Sequence, residues 1–144
     1  MPVRTFDPKQ TVFIAGGIPI GGFADGTFIA VERTNDMFTK VSGADGIVSR
    51  AKNNDLSGSI TITLAQTSPS NDVLTGFALA DEHTNNGVIP LSVSDLSGRT
   101  NFVSAFGWVR KMPNADFGKE ITDREWVFDC ADLDWFMGGN ADAE

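Results

Sequence analysis

The chain has 144 residues, 41% of them hydrophobic and 21% charged, a composition typical of one soluble globular domain. Its 19 acidic residues outnumber the 11 basic ones and give a net charge of -8, which argues against a protein that reads nucleic acid. The single cysteine, Cys130, excludes an internal disulfide. Asp7, Pro8 and Lys9 interrupt any apolar run long enough for a signal peptide or membrane span, so we expect synthesis and residence in the cytosol.

The first strands are predicted around a glycine turn. Residues 11–15 and 18–23 are expected to form an opening hairpin, because Gly16-Gly17 is a favoured two-residue turn. The glycine run does not match a phosphate-binding loop, since no Lys-Ser/Thr pair follows it and no helical pattern begins after it. A β-rich strand is predicted next at 27–33, after a turn at 24–26.

A long hairpin is predicted in the second quarter of the chain. Residues 37–41 and 47–51 are expected to pair around a turn at 42–46. The polar continuation to Asp55 has no apolar face to bury. We therefore expect the segment of about 37–57 to project from the body of the protein.

Two strands, at 59–64 and 89–95, alternate between apolar and polar residues, which predicts one face in the core and one face outward. The inward positions are apolar, namely Ile60, Ile62, Leu64, Ile89, Leu91 and Val93. The outward positions carry short hydroxyl side chains and no basic group, namely Ser59, Thr61, Thr63, Ser92 and Ser94.

One helix is predicted between these strands, at about 69–83. Ser68 can cap its start, Pro69 suits the first helical position, and Leu74 and Phe77 follow at helical spacing. Gly87 is expected to end it. The apolar stripe is narrow, which indicates a helix lying on a sheet with its other face in water.

The last part of the chain predicts two longer strands, at 100–110 and 123–131. In the first, Phe102, Phe106 and Trp108 are expected on one face. In the second, a break in the alternation indicates a bulge between Cys130 and Leu133. Many short strands and one helix together predict a mainly β fold, a two-sheet β-sandwich or barrel with one flanking α-helix and a projecting hairpin, as a single domain over 1–144.

The reactive side chains argue against catalysis. His83 is the only histidine and Cys130 the only cysteine, so the common zinc clusters cannot be built. A Ser-His-Asp triad would need His83, which is predicted at the polar end of the helix, where a cation suits the helix dipole. Asp129, Asp132 and Asp134 could hold Ca²⁺ or supply an acid and a base, although such a group is more often a solvated face in so acidic a chain. We expect no enzyme activity and no cofactor or metal.

Seven short stretches form a set: FADGTFI at 23–29, GADG at 43–46, QTSPSND at 66–72, FGKE at 117–120, REW at 124–126, CADL at 130–133 and GGN at 138–140. They lie at turns and strand ends. As a set they resemble the tail tube proteins of contractile-tailed bacteriophages, and the resemblance spans nearly the whole chain, from about Phe6 to Asn140. The fold of that family is shared with the tubes of type VI secretion systems and contractile bacteriocins.

The resemblance implies a two-sheet β-barrel with one helix that assembles as homo-hexameric rings stacked into a tube. DNA would pass through the tube without specific binding. The other partners implied are the tail sheath, baseplate, tail terminator and tape-measure proteins. The subunit would be made and assembled in the host bacterial cytoplasm and would end in the virion tail, without a membrane anchor.

The resemblance also gives two sets of residues a role. The projecting hairpin would be an arm that stacks on the next ring, with Lys40, Asp45, Arg50, Lys52, Asn53, Asn54 and Asp55. The lumen wall would include Ser59, Thr61, Thr63, Ser92 and Ser94. A wall without Lys or Arg does not neutralise phosphate and so would not hold DNA, but ordinary solvent exposure produces the same pattern.

Other functions stay open on the residues alone. A tube subunit of a phage-derived bacteriocin or type VI secretion device would share the fold and the assembly. A monomeric ligand-binding β-barrel would need a pocket around the three tryptophans. A carboxylate enzyme would use Asp129, Asp132 or Asp134.

Overall fold

The computed structural model describes residues 3–140 and the backbone of 142–143, so the outermost residues of the predicted 1–144 domain (1, 2, 141 and 144) lie outside the described part. The mainly β fold with one helix is confirmed for that part. The helix α1 is Ser70–Thr84, and a short 3₁₀ helix is Pro8–Gln10. The strands are β1 (Val3–Arg4), β2 (Thr11–Ala15), β3 (Ile18–Ile20), β4 (Ile29–Arg33), β5 (Phe38–Ser42), β6 (Val48–Lys52), β7 (Gly58–Ala65), β8 (Ile89–Asp95), β9 (Asn101–Lys111), β10 (Asp123–Cys130), β11 (Asp134–Phe136) and β12 (Asp142–Ala143).

Most strands belong to one antiparallel sheet that curls around the core. Its order is β3-β2-β8-β9-β10-β7-β4, and β11 adds to β9. After β3 the chain crosses to β7, where Phe23 forms a bridge with Leu64 and the N–H of Ala65 donates to the Gly22 carbonyl at 2.8 Å. The sheet therefore closes into a barrel, and the inward rings of Phe13 in β2 and Phe128 in β10 meet with centroids 5.4 Å apart.

The core follows the alternation predicted for β7 and β8. The apolar positions of both strands are buried, and the hydroxyl positions are half-exposed. Phe13, Trp126, Phe128 and Leu133 complete the interior with side chains at 1% exposure or less. Because large aromatic and aliphatic side chains fill the barrel, it is a packed core rather than a ligand cavity.

The predicted faces of β9 were wrong for Phe106 and Trp108. Phe102 is buried, but Phe106 is 59% exposed, because β9 contains a bulge. Ile89 pairs with Gly107, whereas Leu91 pairs with Ser104, so β9 has one more residue than β8 across this interval. An extra residue reverses the alternation beyond it. The bulge predicted between Cys130 and Leu133 was wrong, because β10 ends at Cys130 and the exposed residues 131 and 132 form a bend before β11. Cys130 pairs with Gly107 and Asp134 with Val103, so neither strand has an extra residue across this interval.

The helix, at Ser70–Thr84, agrees with the predicted bounds of about 69–83, but a different residue ends it. The Ser68 hydroxyl oxygen accepts from the Ser70 N–H at 3.2 Å, and Pro69 is helical. The predicted stop at Gly87 was wrong, since Asn85 adopts the left-handed conformation at φ 56° and its N–H donates to the Asp81 carbonyl at 2.9 Å. Gly87 has a different purpose: a Cβ there would overlap the Asp81 side chain, so its lack of a side chain lets the chain return close to the helix.

A network of hydrogen bonds fixes the start of the helix against the barrel. The Ser68 hydroxyl donates to the Gly21 carbonyl at 2.6 Å, and the Gly21 N–H donates to the Ser70 hydroxyl oxygen at 3.0 Å. The Trp126 indole N–H donates to Asn71 Oδ1 at 2.9 Å. The buried polar groups of this contact are therefore paired, as a stable interior requires.

Replacing Gly22 by alanine is expected to destabilise the protein more than the same change at Gly26. Both residues have positive φ, at 76° and 85°, so each alanine adds backbone strain of about 1–2 kcal/mol. A Cβ at Gly22 would also lie 2.6 Å from the Ser68 Cβ, whereas nothing lies within 4 Å of one at Gly26. Urea unfolding of the two variants measures the difference, and equal losses would contradict the close contact with Ser68.

Candidate assembly surfaces

The predicted arm is a separate two-stranded hairpin. Strands β5 and β6 form a sheet of their own, and every residue in both strands is exposed. At the base, the N–H of Asn53 donates to the Met37 carbonyl at 2.9 Å. At the tip, Asp45 Oδ1 accepts from the Ile47 N–H at 3.2 Å. A two-stranded hairpin on its own is marginally stable, so this segment is suited to gaining stability from a partner.

The pairing register of the hairpin separates its two faces. Lys40 lies opposite Arg50, and Phe38 lies opposite Lys52, so these side chains share a face. We call this the cationic face; its residues are Phe38, Lys40, Ser42, Val48, Arg50 and Lys52. The other face carries Thr39, Val41, Ser49 and Ala51. Our sequence interpretation did not assign the hairpin residues to two faces. The turn length sets which residues pair, and the alternation of side chains along a strand then predicts which of them share a face.

The remaining arm residues lie at the base of the hairpin. Asp55 accepts from Asn35 Nδ2 at 2.7 Å and from the Ser57 N–H at 3.0 Å. Hydrogen bonding from the side chain and then the backbone of Ser57 lowers the pKa of Asp55. Asn53 Oδ1 accepts from the Asp55 N–H at 3.0 Å, and Asn54 is exposed. These residues fix the base, and the cations belong to the projecting strands.

Three of the predicted wall residues lie together on the outward side of β7. Ser59 pairs with Glu32 of β4 and with Asp129 of β10. Thr63 pairs with Glu125, so carboxylates flank the hydroxyls. We call this surface the acidic hydroxyl face; its residues are Glu32, Ser59, Thr61, Thr63, Glu125 and Asp129. The Arg110 guanidinium, at the edge of the face, lies 3.3 Å from Asp129.

The other two predicted wall residues lie elsewhere. Ser92 and Ser94 face outward from β8, beside Ile14 and Val12 of β2, and the Ser94 hydroxyl donates to Asn101 Oδ1 at 2.9 Å. Two strands, β9 and β10, separate β8 from β7. The part of the barrel that contains β8 and the part that contains β7 pack against each other with their inward sides. Their outward sides therefore point in different directions. The five predicted wall residues therefore lie on two different surfaces of the subunit.

The candidate chemical residues do not form a site. Asp129 lies on the outward side of β10 and Asp134 lies on β11, while Asp132 is exposed in the turn between them. Across the part of the chain that is described, no group of three His, Cys, Asp or Glu side chains could hold a metal ion. His83 is exposed in the last turn of α1. Cys130 is buried, and burial raises the pKa of its thiol, which disfavours the reactive thiolate.

The tryptophans do not surround a common pocket. Trp126 is buried in the core, Trp108 pairs with Asp129 on the outward side, and the Trp135 ring meets Phe102 edge-on at 4.6 Å. An apolar cleft of about 420 Å³ lies elsewhere, between Phe6, Phe28 and residues of β8 and β9, and no tryptophan lines it. The geometry that a ligand-binding barrel would need is not found among the residues described.

Comparison with known proteins identifies the relatives of this chain. Residues 17–138 match the family described as bacteriophage PhiTE tail tube protein. Structural protein ORF10 of Pseudomonas phage KPP10 is 32% identical, over 94% of this chain and 83% of its own length. Through residues 3–140 no helix has both the length and the apolar character needed to cross a membrane.

Solved structures share the fold at low sequence identity. The tube-terminating cap of the anti-feeding prophage has a TM-score of 0.65 and 9% identity, over 98% of this chain and 95% of that one. The sheath/tube terminator of an extracellular contractile injection system has a TM-score of 0.64 and 10% identity, over 94% and 99%. A chain of the sheath-tube complex of that kind of system has a TM-score of 0.61 and 10% identity, over 92% and 91%. The family match covers most of the chain and agrees with the resemblance seen in its turns, so this protein belongs to the bacteriophage PhiTE tail tube protein family.

Proposed function

We propose that this chain is the tail tube subunit of a phage, which assembles into hexameric rings that stack into the conduit for genome ejection. The observation that carries the proposal is the projecting hairpin, exposed along both strands, in a chain of the tail tube family. A two-stranded hairpin is marginally stable on its own, so contact with another molecule would stabilise it. The role is structural, and the protein works by self-assembly and passive conduction without catalysis.

The acidic hydroxyl face is the better candidate for the channel wall. Nonspecific DNA affinity comes from Lys and Arg side chains that neutralise phosphates. This face instead combines hydroxyls with the carboxylates of Glu32, Glu125 and Asp129, which repel a polyanion over about 8 Å at physiological ionic strength. Ser92 and Ser94 would then lie on a different side of the subunit, where contacts between subunits are expected.

A phage tail is favoured over a bacteriocin or secretion device. The relative at 32% identity is a structural protein of a phage, whereas the terminator and tube chains of injection systems share only 9–10% identity. The subunit would therefore lie in the virion after assembly in the host bacterial cytoplasm. Its further partners would be the tail sheath, baseplate, tail terminator and tape-measure proteins.

Negative-stain microscopy of the purified chain tests this function, and hollow tubes are the expected result. Replacing residues 38–52 by Asn-Gly, a favoured hairpin turn, should leave a folded subunit that forms no tubes. Removal of residues 38–52 is compatible with the fold, because the Asn53 N–H already donates to the Met37 carbonyl at 2.9 Å and a two-residue turn can join these positions. A circular dichroism melt that matches the unaltered chain is the control. Isolated globules from the unaltered chain at every concentration would overturn the function, and normal tubes from the shortened chain would overturn the role of the hairpin.

A further inference from the structure

We propose that the cationic face of the hairpin docks onto a second copy of the chain, in an acidic cleft at the Asp123 end of β10. The inference rests on the proposed stacking of subunits and adds the acceptor surface and its chemistry. The acceptor, which we call the acidic cleft, has a volume of about 250 Å³. Its acidic lining residues are Asp116, Asp123 and Glu125. Glu125 pairs with Thr63 and also belongs to the acidic hydroxyl face, so the cleft adjoins that face. The other lining residues of the cleft include Lys111, Pro113 and Val127.

The three cations of the hairpin have no ion-pair partner among the described residues of their own subunit. The hairpin holds three of the chain's 11 basic residues, all on one face. Lys40 and Arg50 lie directly opposite each other, an arrangement of like charges that destabilises a strand pair. Arg50 is placed 4.2 Å above the Phe38 ring, and within residues 3–140 no carboxylate forms an ion pair with any of the three cations. An anionic partner would therefore relieve the repulsion.

The acidic cleft has the opposite character and is held in shape by its own loop. The guanidinium of Arg124 donates to the Asp116 backbone carbonyl at 3.4 Å and lies over the Phe117 ring at 5.4 Å. The Thr122 N–H donates to Gln66 Oε1 at 3.0 Å. These contacts use backbone groups of the loop and the Phe117 ring. In the described part, the carboxylates of Asp116, Asp123 and Glu125 have no hydrogen bond or ion pair. They are available to cations from outside.

The two surfaces lie at opposite ends of the same strand. The Gly58 end of β7 pairs with Arg33 of β4, which leads into the hairpin. The Ala65 end pairs with Asp123 at the acidic cleft. The seven residue steps from Gly58 to Ala65 separate the two ends by roughly 23 Å. Contact between two different surfaces of identical chains is head-to-tail, and it generates either a closed ring or an open stack, depending on the rotation between neighbours. Surfaces at opposite ends of one strand suit the open stack.

Complementarity extends beyond charge. Phe38 and Val48 lie on the cationic face, and Pro113 and Val127 line the acidic cleft, so apolar side chains would meet beside the ion pairs. A DNA phosphate backbone could also attract the hairpin, but it offers no apolar side chain to Phe38 and Val48, whereas the acidic cleft offers Pro113 and Val127. A second copy of the chain fits both features.

Charge reversal tests the inference. One variant carries Lys40→Glu with Arg50→Glu, and the other carries Asp116→Lys with Asp123→Lys; all four side chains are exposed. Each variant alone is expected to stay unstacked, because two surfaces of like charge would face each other. Mixing the two variants should restore stacks, since each surface then finds its opposite. Light scattering and negative-stain microscopy measure the outcome.

A matched control separates docking between copies from a general effect of net charge. A variant with Lys9→Glu and Arg99→Glu lowers the net charge by the same amount as Lys40→Glu with Arg50→Glu, but at exposed sites outside both surfaces. This control should stack normally. The inference would be overturned if either charge-reversed variant stacked alone, or if mixing the two folded variants failed to restore stacks. In both cases, tubes of the unaltered chain would still support the proposed function. Binding of labelled duplex DNA that is lost in the Lys40→Glu, Arg50→Glu variant while its stacking persists would assign the cationic face to nucleic acid and also overturn it.

Discussion

Replacing Phe128 by alanine is expected to lower the free energy of unfolding by about 3–5 kcal/mol. The side chain is fully buried on the inward side of β10, and its ring lies against Phe13 from the opposite wall of the barrel. Removing it leaves a cavity where the two walls meet. A domain of this size is stable by only about 5–15 kcal/mol, so we also expect most of the capacity for assembly to be lost.

Urea denaturation followed by circular dichroism measures this loss. The matched control is Phe106→Ala, which removes the same ring from a residue that is 59% exposed and should change the free energy of unfolding by about 0.5 kcal/mol or less. If the two variants lost equal stability, the bulge that turns Phe106 outward would be wrongly placed.

Lysines at Thr61 and Thr63 are expected to slow genome ejection without preventing assembly. Both residues face outward on β7 and are half-exposed, and lysine can extend its ammonium group away from the strand. Each subunit would then present two cations to the passing DNA, which neutralise phosphates and release counterions. Ejection should become slower as the salt concentration falls, because retention by cations weakens in salt.

Ejection from virions assembled with the Thr61→Lys, Thr63→Lys chain measures this effect. The control carries Thr61→Gln and Thr63→Gln, which lengthens both side chains without adding charge. Slowing by glutamine to the same extent would show that width, not charge, limits passage. Unchanged ejection with lysine would place the acidic hydroxyl face away from the channel.

The distribution of charge is consistent with both surfaces having distinct purposes. Carboxylates flank the hydroxyls of β7, where binding of DNA would hinder its passage through the proposed channel, while the hairpin carries its cations on one face. Arg110 and Asp129 form an ion pair at the edge of the wall, which keeps that cation from acting alone. The positions of the acidic residues, and not only their excess over basic residues, therefore bear on the proposed roles of the two surfaces.

Local patterns in the sequence determined much of the fold. The Gly16-Gly17 turn forms as expected, with both residues at positive φ, because turn conformation depends on adjacent residues. The alternation of residues 59–64 correctly assigned the inward and outward sides of β7. The start of the helix at Ser68-Pro69 also follows from a few neighbouring side chains.

Tertiary structure decided which of those local faces belong together. Five outward hydroxyls were visible in the sequence, but strand order places β9 and β10 between Thr61 and Ser92, and no period within a strand encodes strand order. The bulge at Phe106 depends on how β9 aligns with β8. The acidic cleft gathers Asp116 and Asp123 across a loop that Arg124 holds in place. Local residue patterns fix turns and faces, whereas contacts between residues distant in sequence bring those faces together.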